Sequence, residues 1–349
     1  MCNLAGYTGS RQAAPILIEM LRRQEGLDCG FFTGIATMHA GKIYYAKVCG
    51  DLEQLLSRTD ASSLPGTTGI IHSRTPGKPD DNWAHPFVTK QNGEIICAFV
   101  TNGIMGCKEA ECEAAFLAHA RMLMEEGFPF TSRRPSGRGR LDMGDGTMIH
   151  PTEVQAHYTA KGILEGMTSV DAMEHTFTQQ KKEGAALLLS LTCPDAITWT
   201  RTSFPLEAAF ADHGAYIATS PQGFPEDAGE TMILPALSSG LLTKESYTCK
   251  KYAHPPFTVA PITPEIWNKA YTEITKALKE PCHLYDLPWG AITEAFAPAD
   301  CTQRNTVVYC VLAELAKKGL LEEEIRRVPH REGELTAPSR YMWLKKDHT

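Results

Sequence analysis

Met1-Cys2-Asn3-Leu4-Ala5-Gly6-Tyr7-Thr8-Gly9 opens the chain, and its second residue decides how the rest is read. Aminopeptidases remove a methionine that precedes a small residue, which would leave Cys2 with a free α-amine. Such an amine has an unperturbed pKa of about 8 and a thiol one of about 8.5, so both titrate close to neutral pH. A neutral amine on the same residue accepts the thiol proton, directly or through a water, and later returns it to the leaving group. One residue then supplies nucleophile and base without a histidine. A retained Met1 would lock the amine in a peptide bond, and the chemistry would fail. Taken alone, a cysteine at position 2 is explained equally well by chance, so the case rests on its surroundings.

Outward from that stretch, strands and helices alternate. Residues 5–8 form a short strand, and 11–24 follow as a helix with Ile16, Leu17, Met20 and Leu21 on one face. Residues 34–39 and 42–48 make a hairpin around Ala40-Gly41, and 69–73 is another strand. Asn92-Gly93 is a tight-turn dipeptide that leads into a strand over 94–101. Helices are expected over 108–126, 152–165 and 169–182. Strand-like runs return at 185–192, 196–202, 206–210, 216–219 and 241–250. The segment 131–146, with four arginines and four glycines, reads as a surface insertion whose charges are solvated.

Several further short runs fall in a recognisable order: Ile16-Leu17, Met20-Leu21-Arg22-Arg23, Gly34-Ile35-Ala36, Gly69-Ile70-Ile71-His72-Ser73-Arg74, Asn82-Trp83-Ala84-His85-Pro86, Thr101-Asn102-Gly103-Ile104, Pro151-Thr152-Glu153-Val154 and Ala156-His157-Tyr158. With the opening nonapeptide they resemble the class II glutamine amidotransferases, close to the glutaminase domain of glucosamine-6-phosphate synthase, over roughly 250 residues. The resemblance implies a four-layer αββα sandwich of the N-terminal-nucleophile hydrolase type. It implies Cys2 as nucleophile, Asn102 and Gly103 as the oxyanion hole, and Arg74 as the clamp on a substrate α-carboxylate. His85 is a candidate for substrate contact or for packing beneath the loop. Taken alone, Asn102-Gly103 reads as an ordinary hairpin turn and Arg74 as a surface charge.

Four departures set this chain apart from the family pattern. The family's H-T-R is followed by W-A-T-H-G, whereas Arg74 is followed by Thr75-Pro76-Gly77-Lys78, about two residues shorter. In the synthases that loop covers glutamine and gates the ammonia route. The family's S/T-D-T-E carries an aspartate for the substrate α-ammonium; here His150-Pro151-Thr152-Glu153 puts a proline in its place. The R-G-Y-D-S-A-G region reads Asp28-Cys29-Gly30-Phe31-Phe32-Thr33-Gly34, without the arginine. No acceptor domain of the sugar-isomerase or phosphoribosyl type follows. The nucleophile, oxyanion hole and carboxylate clamp are kept; amine recognition and ammonia hand-off are altered. The substrate is then glutamine or a γ-glutamyl amide, its α-amine either modified or held by other groups such as Glu153 or Asp81. Ammonia would pass to a separate acceptor protein; a standalone γ-glutamyl amidohydrolase is the second enzymatic reading.

Residues 2–253 thus read as one unit. Residues 254–264 hold four prolines and read as a stiff linker. Residues 265–349 read as a small winged-helix-like domain: helices over 266–278, 291–296 and 305–318, then strands over 324–328 and 340–345 around a turn with Gly333. Its hairpin is basic (Arg326, Arg327, Arg331, Arg340, Lys345, Lys346), but its third helix has Lys317 and Lys318 only at the end, and Glu322–Glu324 follow. Specific DNA binding needs a basic face, so a protein-docking or dimerisation module is the better fit, and a glutamine-sensing DNA-binding regulator the non-enzymatic alternative.

Composition narrows the rest. A net charge of −7 gives no electrostatic case for nucleic acid or an anionic membrane. No apolar run reaches the roughly 20 residues that span a bilayer, and no secretory signal precedes the fold, so a cytoplasmic enzyme is expected. Eleven scattered cysteines without a CxxC pair or zinc-type spacing argue for reduced thiols, no structural metal and no cofactor.

Overall fold

The computed structural model describes residues 2–75, 77–137, 141–329 and 336–346. Met1, Pro76 and the turn with Arg331 and Gly333 lie outside them, as do two of the arginines of the 131–146 insertion. Strand β1 (Asn3–Gly9) leads into helix α1 (Ala13–Gln24), the hairpin β2 (Phe32–His39) and β3 (Lys42–Cys49), helix α2 (Leu52–Arg58) and β4 (Thr68–Arg74). The hairpin β5 (Phe87–Gln91) and β6 (Glu94–Ile104) precedes helix α3 (Glu109–Glu125), a short ribbon of β7 (Arg134–Pro135) and β8 (Thr147–Met148), and helices α4 (Pro151–Leu164) and α5 (Ser169–Gln179). Then come β9 (Glu183–Ser190), β10 (Ala196–Arg201), β11 (Glu207–Ala211), β12 (Gly214–Ala218), β13 (Met232–Ile233), β14 (Ser238–Thr243) and β15 (Lys250–Lys251). The C-terminal unit consists of α6 (Pro264–Ala277), β16 (Cys282–His283), α7 (Trp289–Glu294), α8 (Arg304–Lys317), β17 (Leu321–Pro329) and β18 (Thr336–Leu344).

Both expected tight turns form where the sequence placed them. Ala40 and Gly41 have φ of 48° and 72°, Asn92 and Gly93 of 52° and 84°; paired left-handed residues match the twist of the strands they join. The strands build two antiparallel sheets, ordered β13-β11-β12-β1-β4-β2-β3 and β15-β14-β10-β9-β6-β5. Leu4, Ile70 and Ile217 of the first meet Val100, Leu187 and Trp199 of the second in the buried core between them. The outer face of the first sheet, with Tyr7, Ile35 and Ile71, is covered by Leu17 and Leu21 of α1 and Leu52 and Leu55 of α2. The outer face of the second, with Phe87, Phe99 and Leu188, is covered by Ala156 and Ala160 of α4 and Met173 and Phe177 of α5. Alternating side chains feed one layer on each side, which gives the four-layer αββα order.

One expected strand is broken. Residues 241–250 turn after Thr243, whose N–H and Oγ1 both donate to the Ser246 carbonyl at 2.8 and 3.0 Å. Local hydrogen bonding of this kind competes with the sheet ladder.

The proline-rich segment is not a free spacer. Phe257 and Ala260 are buried, and the Ala260 N–H donates to the Cys301 carbonyl at 2.9 Å. The unit beyond it docks firmly on the sandwich. Arg201, at the end of β10, is fully buried: Nε donates to the Phe204 carbonyl, Nη1 to the Leu234 carbonyl, and Nη2 to Gln303 Oε1 at 2.6 Å and Thr306 Oγ1 at 2.9 Å. Burial lowers its pKa to about 10. Arg340 of β18 donates to the carbonyls of Arg23 and Glu25 at 2.9 Å, and Pro338 lies against Gly30, where a Cβ would come within 2.3 Å of its Cγ. Arg201→Met should cost about 3–5 kcal/mol, because four acceptors lose their donor at a buried seam. Chemical denaturation followed by fluorescence measures it; a change below about 1 kcal/mol would show that this arginine does not tie the units.

Candidate functional site

Sheet register brings Cys2 and Arg74 together. Asn3 of β1 pairs with Ser73 of β4, so the residues one step further, Cys2 and Arg74, are side by side at the end of the central strands. Cys2 is half-buried. Asn3 secures the start of its strand: Nδ2 donates to the carbonyls of Gln24 and Leu27 at 3.0 and 3.1 Å and to Cys29 Sγ at 3.1 Å.

Arg74 is held by rings more than by hydrogen bonds. Its guanidinium lies 5.0 Å from the Phe32 ring centre and 5.7 Å from that of Trp83, and Nη1 donates to the Trp83 carbonyl at 3.4 Å. Burial lowers its pKa, and the positive charge of Arg134 lowers it further, while the Cys2 thiol acts the other way. A planar cation held in this way is suited to a carboxylate that arrives with a ligand.

Asn102 and Gly103 do not form a turn. They lie in the last part of β6, paired with Ala185 and Gly184 of β9. The backbones approach so closely that a Cβ on Gly103 would sit 2.4 Å from the Glu183 carbonyl oxygen. Asn102 is 1% exposed, and its Nδ2 has no hydrogen-bond partner among the described residues. An unpaired buried amide donor costs about 1–3 kcal/mol.

The sequence assigned no role to His72, yet it joins the two halves of this arrangement. Its Nε2 lies 3.1 Å from the carbonyl oxygen of Thr101, next to Asn102, and so carries the proton. Burial pushes its pKa down to about 3, which keeps the ring neutral. The His72 bond therefore braces β6 against the sheet that begins beside Cys2.

Three residues offered as substrate contacts are engaged within the fold. Glu153, expected to meet a substrate amine, is buried and saturated: it accepts from Thr131 N and Oγ1 at 2.7 and 2.6 Å and from Ser132 N and Oγ at 2.9 and 2.5 Å. Its carboxylate shapes the 131–132 loop, and the Ser132 carbonyl in turn accepts from Trp83 Nε1 at 2.7 Å. Asp81 is likewise engaged, accepting from Cys49 N–H at 2.6 Å and Arg58 Nη2 at 2.8 Å. His85 is buried, its ring 3.9 Å from that of His72 and in contact with Phe87 and His150; burial holds it neutral. Its place is that of packing beneath the loop. Pro151 occupies the first turn of α4, where His150 Nδ1 caps the helix by accepting from Thr152 N–H at 3.1 Å. A proline without an N–H is favoured there.

One arginine of the 131–146 insertion is less solvated than its composition suggested. Arg134 stacks on Trp83, 3.3 Å from the ring centre, and donates to the Lys78 carbonyl at 3.2 Å. Lys47, close by, donates to the Ala84 carbonyl at 2.9 Å, and burial lowers its pKa to about 8.

No family model matches the chain. It is 28% identical over 254 residues to a glutamine–fructose-6-phosphate aminotransferase (isomerizing) of Pyrococcus horikoshii, a match that covers 72% of this chain and 38% of that protein. To the protein of the same description in Chlorobaculum tepidum it is 30% identical over 260 residues, 72% of this chain and 37% of the other. The chain thus spans less than two fifths of the length of these curated relatives. Among solved structures, the glutamine phosphoribosylpyrophosphate amidotransferase of B. subtilis superimposes with a TM-score of 0.59 at 15% identity, over 97% of this chain and 72% of that one. The allosteric regulatory enzyme of purine biosynthesis gives 0.57 at 15%, over 84% and 63%. Sequence similarity over some 250 residues and a shared sandwich fold together give this chain a class II glutamine amidotransferase domain.

Proposed function

We propose that the chain is an N-terminal cysteine amide hydrolase. Cys2, freed by loss of Met1, attacks the side-chain amide of glutamine or of a γ-glutamyl amide. The tetrahedral adduct collapses to a Cys2 thioester as ammonia leaves, or the amine where the amide is substituted, and water then releases the acid. The observation that carries this reading is the Asn102 amide, buried without a partner among the described residues, on a strand braced against the sheet of Cys2. Asn102 Nδ2 and the Gly103 N–H would hold the oxyanion, and Arg74 the α-carboxylate. Arg74→Lys keeps the charge but loses the fork; we expect KM to rise about 10–100-fold with a smaller loss in kcat. An unchanged KM in steady-state kinetics would move the carboxylate elsewhere.

The engagement of Glu153 and Asp81, together with Pro151, favours a second reading. A free α-ammonium meets neither of the carboxylates that the sequence offered for it, so a substituted γ-glutamyl amide is the alternative to glutamine. The C-terminal unit, residues 265–349, is winged-helix-like in this reading, a view supported by the order α6-β16-α7-α8-β17-β18 and the sheet order β16-β18-β17. Its third helix, α8, is buried at Val307, Val308, Tyr309 and Val311 and bonded to Arg201 through Thr306. A helix held in this way serves docking, and does not read a DNA groove. Ammonia would then go to a separate acceptor protein.

Peptide mapping by mass spectrometry, before and after a diazo-ketone glutamine analogue, tests the core of the proposal. Loss of Met1 with an adduct on Cys2, together with ammonia release from glutamine, is the expected result. Cleavage of γ-glutamyl conjugates alone would establish the second reading. A retained Met1 with an unreactive Cys2 would leave a binding protein on an enzyme's frame.

A further inference from the structure

Beyond Asn102 and Gly103, β6 ends in a single turn, Gly106–Lys108, that carries Cys107. Cys301 lies 194 residues further along, just before α8, yet the two Sγ atoms are 2.8 Å apart. That is closer than two unbonded sulfurs rest. A disulfide holds them at about 2.0 Å, whereas two thiolates on one tetrahedral zinc, each about 2.3 Å from the metal, stand roughly 3.7 Å apart. Both segments are anchored. Cys301 N–H donates to the Thr258 carbonyl at 3.0 Å, and a Cβ on Gly106, whose φ is +71°, would sit 2.2 Å from Glu183 Oε2. The Glu183 carboxylate lies beside the thiols, with one ligand atom from each of the three residues within 4.8 Å of the others. It already accepts from Ser203 Oγ at 2.8 Å.

Cys107 is exposed and Cys301 buried. The pair borders a cleft of about 570 Å³ that Gly103 and Pro151 also line. Burial raises both thiols above their ordinary pKa, and the Glu183 charge adds to it, so the thiolate that attacks a disulfide is a small fraction and the exchange is slow.

We propose that Cys107 and Cys301 form a reversible disulfide site that locks the C-terminal unit onto the end of the oxyanion strand. The co-reactant is a small disulfide such as oxidised glutathione. Cys107 Sγ, the accessible sulfur, attacks it, forming a mixed disulfide and expelling one glutathione, which takes the proton. Cys301 Sγ then attacks Cys107 Sγ, the mixed disulfide breaks, and a second glutathione leaves with the second proton. Two protein thiols are oxidised, one glutathione disulfide is reduced to two thiols, and two electrons pass between them. The site stands on geometry alone and does not depend on whether Cys2 is a nucleophile.

The test treats the folded full-length chain with oxidised glutathione or with dithiothreitol, then combines non-reducing peptide mapping with thermal melts. The expected result is a linked Cys107–Cys301 peptide in the oxidised sample only. Its melting temperature should rise by roughly 5–10 °C, since the bond closes a long loop, and dithiothreitol should reverse the rise. Cys107→Ser and Cys301→Ser should each abolish the linked peptide and the shift. Glutathione capping of Cys107 without a linked peptide would overturn the proposal. So would one zinc per chain in native mass spectrometry that either serine variant loses, since the cluster would then be a metal site.

Discussion

Cys2→Ala should lower kcat for ammonia release by at least about 10⁴-fold, because no other group replaces a nucleophile that forms the covalent intermediate. The dual role proposed for the residue makes the loss severe. The alanine variant keeps the α-amine that would serve as base but gives it no thiol to deprotonate. Arg74 is held by Phe32 and Trp83, independently of Cys2, so the binding of substrate should survive. Steady-state ammonia release, together with calorimetric binding of glutamine to the variant, separates the two effects. Residual turnover above about 1% of the parent would place the nucleophile elsewhere.

Asn102→Ala should cost about 10²–10³ in kcat with little change in KM, the usual loss for one oxyanion donor. Its effect on stability should run the other way. The Asn102 Nδ2 has no partner among the described residues, so its removal relieves an unpaired buried donor instead of breaking a bond. The thermal midpoint should stay level or rise. A variant that loses both activity and stability would show that Asn102 is there for the fold. Lost activity with a held or raised midpoint marks a group kept for the reaction at a cost in stability.

The sequence shows the site unevenly, for physical reasons. Arg74 and Asn102 belong to short ordered motifs, and they sit on adjoining or facing strands. His72 lies within one of those motifs, but nothing in it says that the side chain crosses to the other sheet. Glu153 misled because a carboxylate four residues into a motif looks available. Only the fold shows that the 131–132 loop saturates it with four donors. Arg134 looked solvated because the composition around it is that of a loop, and its stacking on Trp83 is a contact between segments some fifty residues apart.

The sequence by itself determined the local geometry: the turns at Ala40-Gly41 and Asn92-Gly93, the amphipathic α1, and the strands with apolar residues facing both ways. These follow from φ preferences and side-chain periodicity, which act within a few residues. It also determined the αββα plan, through motifs in a fixed order. Only the tertiary structure decided how far the C-terminal unit stands from the sandwich. Its prolines suggested a spacer, yet Arg201, Arg340 and Pro338 join it to the sandwich, and Cys301 comes to rest on Cys107. Such contacts depend on which buried donors find acceptors once both units have folded, and no local pattern encodes that pairing.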